Sequence, residues 1–203
     1  IYDKCPVCQS ENILRMRRKL KSRERLDIEA VPLGDARFGS LDVLEELYGL
    51  YLGVYAQSEI HFDLLTRDFF AGLLQSRELG GVVFCYRHDG ELVGYNICLE
   101  HGGMLIDKYI GLRYPQAREL DLYFVSWFVN LEHALERGLR FYVAGWTDPE
   151  VKAGLGARFT FTRHLVWVRN PILRRILYMF RHWFESDAKA VGVKAADKDT
   201  DHA

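Results

Sequence analysis

An aspartate inside an apolar run is the most informative ionisable residue in this sequence. Asp107 lies in Met104-Leu-Ile-Asp-Lys-Tyr-Ile, where burial raises a carboxyl pKa and suits the group to take a proton from a substrate. Its other reading is a strand-surface aspartate paired with Lys108. Glu59 and His61 stand close together in Gln57-Ser-Glu-Ile-His-Phe. Histidine titrates near neutrality unaided, so the pair is a candidate base or substrate contact, although a single histidine also serves structural roles. Arg113 and Arg118 carry planar guanidinium forks that match phosphate bidentately, and both also read as surface charges. Lys152 follows Pro149 and precedes Gly154; it reads as a ligand for a phosphate or carboxylate, or as a helix-surface lysine.

The cysteines point away from metal and redox chemistry. Cys5-Pro-Val-Cys8 stands alone, whereas a structural zinc centre takes four ligands, so no metal is expected. Cys85 and Cys98 sit in apolar runs, where a free thiol behaves as a small hydrophobe.

The elements that must position these residues follow from periodicity. Leu26 to Val31 alternates as a half-buried strand. Ser40 reads as a cap for a helix over Leu41–Gln57, with Leu44, Leu47, Tyr48, Tyr51, Val54 and Tyr55 on one stripe. Thr66 caps a second helix with Phe69, Phe70, Leu73 and Leu74 inward. The period then changes to two. Gly81–Tyr86 and Leu92–Leu99 flank an Asp89-Gly90 turn, and Gly102-Gly103 leads into a strand over Met104–Leu112. A helix over Tyr123–Arg137 is expected to bury Phe124, Trp127, Phe128, Leu131 and Leu135, with Gly138 as its stop. Strands over 140–145 and 157–168 enclose a short helix begun by Thr147-Asp-Pro-Glu. A closing helix carries Leu173, Ile176, Leu177, Phe180, Trp183 and Phe184 on one face. Its expected use is packing on the sheet, with membrane-surface binding as the alternative.

The chain has 203 residues, 49% hydrophobic and 27% charged, with 27 Lys plus Arg against 28 Asp plus Glu. That is ordinary globular composition with no global field for nucleic acid. No apolar run approaches the ~20 residues of a membrane span. The chain opens Ile-Tyr-Asp, without Met or an apolar leader, so it reads as a piece of a longer cytoplasmic protein. The expected organisation is a basic segment over 1–25, one domain over 26–186 and a disordered tail over 187–203.

The order β-α-α-β-β-β-α-β-α-β plus a final helix describes an α+β domain, with a mixed, mostly antiparallel central sheet and helices on both faces. This succession resembles the GNAT acyltransferase fold over about Leu26 to Asn170. The wording Leu135-Glu-Arg-Gly-Leu-Arg-Phe-Tyr-Val-Ala-Gly145, then Lys152 and Leu155-Gly-Ala-Arg-Phe159, is similar to the FemAB-like and BioF2-like branch of that superfamily. One feature departs. Standard members carry Gln/Arg-x-x-Gly-x-Gly/Ala before the long helix, where backbone N–H groups cradle the coenzyme A pyrophosphate. Here Gly111-Leu-Arg-Tyr-Pro-Gln-Ala-Arg-Glu-Leu-Asp121 has no glycine after Gly111.

The resemblance implies an enzyme that moves an acyl group, acetyl in the first instance, from acyl-coenzyme A to an amine. It implies Asp107 or Glu59 as base and Tyr123, at the head of the long helix, as acid for the leaving thiolate. Coenzyme A would lie along Tyr109, Ile110, Leu112, Arg113, Arg118 and Lys152, and the acceptor beside His61, Trp146 and Thr147. The expected partners are a small-molecule, cell-envelope or peptide amine and, in a homodimer, a second copy of the chain. Two alternatives stand beside this: a FemAB-like aminoacyl-tRNA-dependent transferase, and a non-catalytic module docking through its basic segment.

Overall fold

Two tight turns with paired positive φ angles set the architecture. Asp89 and Gly90 stand at 50° and 81°, and Gly102 and Gly103 at 57° and 76°. Two-residue hairpin loops of this hand match the right-handed twist of the strands they join. The result is a meander of β2 (Gly81–His88), β3 (Glu91–His101) and β4 (Met104–Leu112). The computed structural model describes residues 20–58, 64–145, 149–155, 157–158 and 167–180. The chain divides into two units, Ile1–Gly145 and Trp146–Ala203, each described by itself.

In the first unit β1 (Asp27–Pro32) pairs antiparallel with β2. Helices α1 (Leu41–Gln57) and α2 (Arg67–Gln75) intervene between them in sequence. After β4 come the short α3 (Gln116–Glu119), the long α4 (Leu122–Glu136) and β5 (Phe141–Val143). Among the described residues five strands form one sheet, in the order β1-β2-β3-β4-β5. Only β5 runs parallel to its neighbour, because the α3–α4 crossover returns the chain to the same end of the sheet. This is the α+β, mostly antiparallel sheet that the sequence order predicts.

The two faces hold separate cores. On one, Val83, Cys85, Tyr95 and Ile97 meet Leu47, Leu50 and Tyr51 of α1 and Phe70, Leu73 and Leu74 of α2. On the other, Val82, Phe84 and Tyr86 meet Leu122, Val125 and Val129 of α4. Helix α1 occupies the predicted residues, and the Thr66 hydroxyl accepts from the Phe69 amide as the cap of α2. Phe69 itself is 55% exposed, so it leaves the predicted inner face. Gly111 faces Tyr95 across the strand pair, and a Cβ there would overlap its ring and press on Leu50.

Two departures shape the site. The predicted inner stripe of α4 is out of phase: Leu135 is 75% exposed, whereas Leu122, Val125, Ser126, Val129, Asn130 and Ala134 are buried along with Trp127. This helix is apolar nearly all round, and polar partners on the sheet, not the aromatic residues, determine which face turns inward. The second departure is a bulge in β4. Ile97 pairs with Tyr109 and Cys98 with Asp107, which leaves Lys108 as the extra residue. An extra residue reverses the alternation beyond it. Asp107 therefore lies on the α4 face, while Tyr109, two residues on, packs edge-on against Tyr51 of α1 at 6.4 Å.

In the second unit the described elements are α5 (Pro149–Gly154) and α6 (Pro171–Met179). The predicted strand over 157–168 lies mostly outside the described residues, as do Trp183, Phe184 and the expected tail. No residue of α6 is buried.

Candidate active site

The pairing of β4 with β5 covers three rungs, Met104–Phe141, Leu105–Tyr142 and Ile106–Val143. Asp107 is the next residue. Among the described residues no strand pairs with that edge of β4 beyond Ile106, so the carboxylate stands where the two parallel strands part. The β4 bulge turns it toward α4 instead of α1.

A directed set of hydrogen bonds ends on this carboxylate. The Tyr86 hydroxyl donates to Asn96 Oδ1 at 2.6 Å. Asn96 Nδ2 donates to Asn130 Oδ1 at 2.9 Å and reaches Asp107 Oδ1 at 3.4 Å. Asn130 Nδ2 donates to Asp107 Oδ2 at 3.1 Å, and the Tyr142 hydroxyl donates to the same oxygen at 3.1 Å. Asn130 Nδ2 also lies 3.1 Å from the Tyr142 oxygen. The Cys98 thiol sits at the edge of the set, 3.5 Å from Asn130 Oδ1 and 3.8 Å from Asp107 Oδ1. Tyr86, Asn96, Cys98 and Asn130 are fully buried, while Asp107 and Tyr142 are half-buried. An ionised carboxylate only accepts hydrogen bonds, so a chain whose donors all run toward it holds it in one orientation.

The surroundings keep the neighbours protonated. Burial first, and then the charge of Asp107, push the Tyr142 phenol and the Cys98 thiol far above their ordinary values. Burial likewise holds the Tyr86 phenol protonated. The Cys98 thiol is therefore no ready nucleophile, because the thiolate is the attacking form. Trp127 packs edge-on against Tyr142 at 5.2 Å and fixes its ring. This arrangement can accept a proton at Asp107 without forming a covalent enzyme intermediate.

The remaining predicted site residues are placed as follows. Tyr123 lies half-buried in the first turn of α4, edge-on to Phe124. Ile110 and Leu112 pack into the α4-side core, and Tyr109 joins the α1-side aromatic residues. Arg113 donates to the Leu92 carbonyl at 2.9 Å and reaches Glu46 and Glu91 at 3.5 and 3.6 Å. Arg118 donates to Gln57 at 2.8 Å and lies 5.0 Å above the Tyr114 ring. Lys152, in the second unit, is buried, with 4% of its surface exposed, so it is not a helix-surface lysine. Glu59, His61, Trp146 and Thr147 lie outside the described residues.

The loop before α4 does not fit the amide cradle that a pyrophosphate requires. The N–H groups of Ala117, Arg118, Glu119, Leu120 and Asp121 all donate to carbonyls within the loop, those of Arg113, Pro115, Gln116 and Arg118. Both arginines are engaged by protein groups. Among the described residues no group of His, Cys, Asp and Glu is placed to hold a metal ion, and no helix is long and apolar enough to cross a membrane.

Sequence reasoning missed Asn96 and Asn130. Each is a lone amide in an apolar run, Leu92-Val-Gly-Tyr-Asn-Ile-Cys-Leu and Phe128-Val-Asn-Leu. Buried amides need partners, so two of them in core elements signal a shared polar site.

A family model described as an acetyltransferase (GNAT) domain matches residues 9–153. No curated protein matches the chain. Among solved structures, the C-terminal domain (DUF2156) of an Agrobacterium fabrum protein named for lysylphosphatidylglycerol synthetase is 15% identical. It aligns over 66% of this chain and 40% of its own, with a TM-score of 0.46. An aminoglycoside acetyltransferase from an uncultured soil metagenomic sample is 16% identical over 70% of this chain and 98% of its own, at 0.46. A ribosomal-protein-alanine N-acetyltransferase from Brucella melitensis biovar Abortus 2308 is 20% identical over 70% and 99%, at 0.44. This chain thus spans well under half of the Agrobacterium structure.

Proposed function

The chain belongs to the GNAT acetyltransferase family and is an acyltransferase, and from that premise we propose that it transfers an acetyl group from a thioester to an amine, with Asp107 as general base. The observation that carries this reading is the convergence of Asn96, Asn130 and Tyr142 on one carboxylate where β4 and β5 part.

Each part has a chemical role. An amine arrives protonated and must lose that proton before its lone pair can attack. Asp107 takes it, held in place by Asn130 and Tyr142. The nitrogen then bonds to the acyl carbon as the carbon–sulfur bond breaks, and the departing sulfur takes a proton. Tyr123, in the first turn of α4, is proposed as that proton donor. Among the described residues no strand covers the edge of β4 from Asp107 through Leu112, which offers backbone groups to an extended, amide-bearing arm, the mode of strand addition. Tyr109, Ile110 and Leu112 would contribute through their backbone. Acyl-coenzyme A is the donor implied by the family, but the loop residues do not fit its pyrophosphate. The finer likeness to the FemAB-like and BioF2-like branch is supported by Gly145, which adopts φ 70°, a conformation suited to glycine, and by the burial of Lys152.

The test follows thiol release from acetyl-coenzyme A and from a short acetyl thioester lacking the nucleotide, across a panel of amines. Asp107→Asn is expected to lower turnover at least ~100-fold with little change in melting temperature. Full turnover in that variant would remove Asp107 from the chemistry. Equal use of both thioesters would show that the nucleotide contributes no binding.

A further inference from the structure

We propose that helix α6 and the residues before it dock this protein on an anionic lipid surface. From Val151 to Phe184 the sequence holds one lysine, six arginines and no aspartate or glutamate. The whole chain has a net charge of −1, so with this segment's +7 taken away the remainder stands at −8. This stretch is thus strongly positive, as is the basic segment over 1–25.

That stretch is also amphipathic. The Asn170 side chain accepts from the amides of Ile172 and Leu173 at 2.9 and 3.2 Å, and Pro171 opens the helix. These are strong start signals that make a nine-residue helix well defined. At 100° per residue Ile172, Leu173, Ile176 and Phe180 share one arc, with Arg174 and Arg175 on the other. All four apolar residues are exposed, Ile172 at 71%. Just before the helix Trp167 is 79% exposed, with the Arg174 guanidinium 5.1 Å above its ring.

The combination selects the occupant. A nucleic acid would neutralise the arginines but leave the isoleucines and Phe180 in water. A second copy would cover the apolar arc while opposing two segments of +7. A bilayer with anionic headgroups satisfies both, taking the apolar arc among its acyl chains and the arginines at the phosphates. Nine residues are too few to span the bilayer, so the helix lies in the plane of the interface. An exposed tryptophan beside arginine suits the same depth.

The experiment is sedimentation of the full chain with phosphatidylcholine vesicles and with mixed phosphatidylcholine–phosphatidylglycerol vesicles, at low and high salt. Expected is binding to the mixed vesicles alone, weakened by salt. Each arginine near an anionic surface contributes about fivefold, so Arg174→Gln with Arg175→Gln should weaken partitioning about 30-fold. Ile176→Asp should abolish it, with circular dichroism and melting temperature retained. Several results would overturn the proposal: no vesicle binding, equal binding to neutral vesicles, or indifference to both variants. A dimer broken by Ile176→Asp without vesicle binding, or retention on an oligonucleotide in preference to vesicles, would do the same. None of these readouts depends on acyl transfer.

Discussion

Asn130→Leu tests whether the buried amides act as one unit. Leucine fills a similar volume but removes the donor to Asp107 Oδ2 and the acceptor of Asn96 Nδ2. Losing a hydrogen bond to a charged group costs about 1.5–3 kcal/mol, and the buried Asn96 amide, left with only its longer contacts to Asp107 and Cys98, adds to that, so a loss near ~3 kcal/mol is expected. Asn96→Val removes the acceptor of the Tyr86 hydroxyl and a donor to Asn130, for about 2 kcal/mol on the same reasoning. The Asn96–Asn130 bond is counted in both single variants, but it can be lost only once. The double variant should therefore cost about 1–2 kcal/mol less than the sum of the two. Urea unfolding of the four proteins, read at a common slope, measures this directly. Additivity to within ~0.5 kcal/mol would refute the linked network. The activity of Asn130→Leu supplies a second readout: a misoriented Asp107 should lower turnover more than substrate affinity.

Gly111→Ala should destabilise the first unit by about 1–3 kcal/mol, because the new methyl meets the Tyr95 ring and Leu50 in a full core. A melting temperature equal to the parent's would show that this core can yield. Glu100 gives a pH prediction. Burial acts to raise its pKa, but hydrogen bonds from His133 at 3.0 Å and Arg137 at 3.1 Å outweigh it, and the net value is lowered. A depressed carboxylate stabilises the fold above its unfolded pKa and loses that contribution as pH falls through the folded value. Stability measured from neutral pH into the acid range should decline less steeply in Glu100→Gln, and identical curves would remove Glu100 from acid unfolding. Cys85 and Cys98 are buried, with the Cys85 thiol pushed up to about 11 by burial. Both should resist a thiol reagent until urea unfolds the chain, and prompt labelling of either in the native state would contradict their burial.

The amino-acid sequence by itself determined the meander and its helices, because those signals are local. Asp89-Gly90 and Gly102-Gly103 close hairpins through their own φ preferences, and Thr66 caps α2 through its own hydroxyl. The ranges of α1 and β4 followed from periodicity alone. Asp107 was also legible, as an ionisable group in an apolar strand. What surrounds it was not. Period-two reading puts Asp107 and Tyr109 on one face, and only the pairing with β3 shows that Lys108 is an extra residue that separates them. Helix α4 has apolar residues on every side, so its phase depended on Asn130 finding Asn96 and Asp107 across the interface. The amides of the loop before α4 were likewise invisible in sequence, since which carbonyl each N–H meets is a property of the folded turn. Turns and caps are settled within a few residues. Register, helix phase and hydrogen-bond partners are settled between residues far apart in the chain, where an unsatisfied buried polar group costs more than any local preference can return.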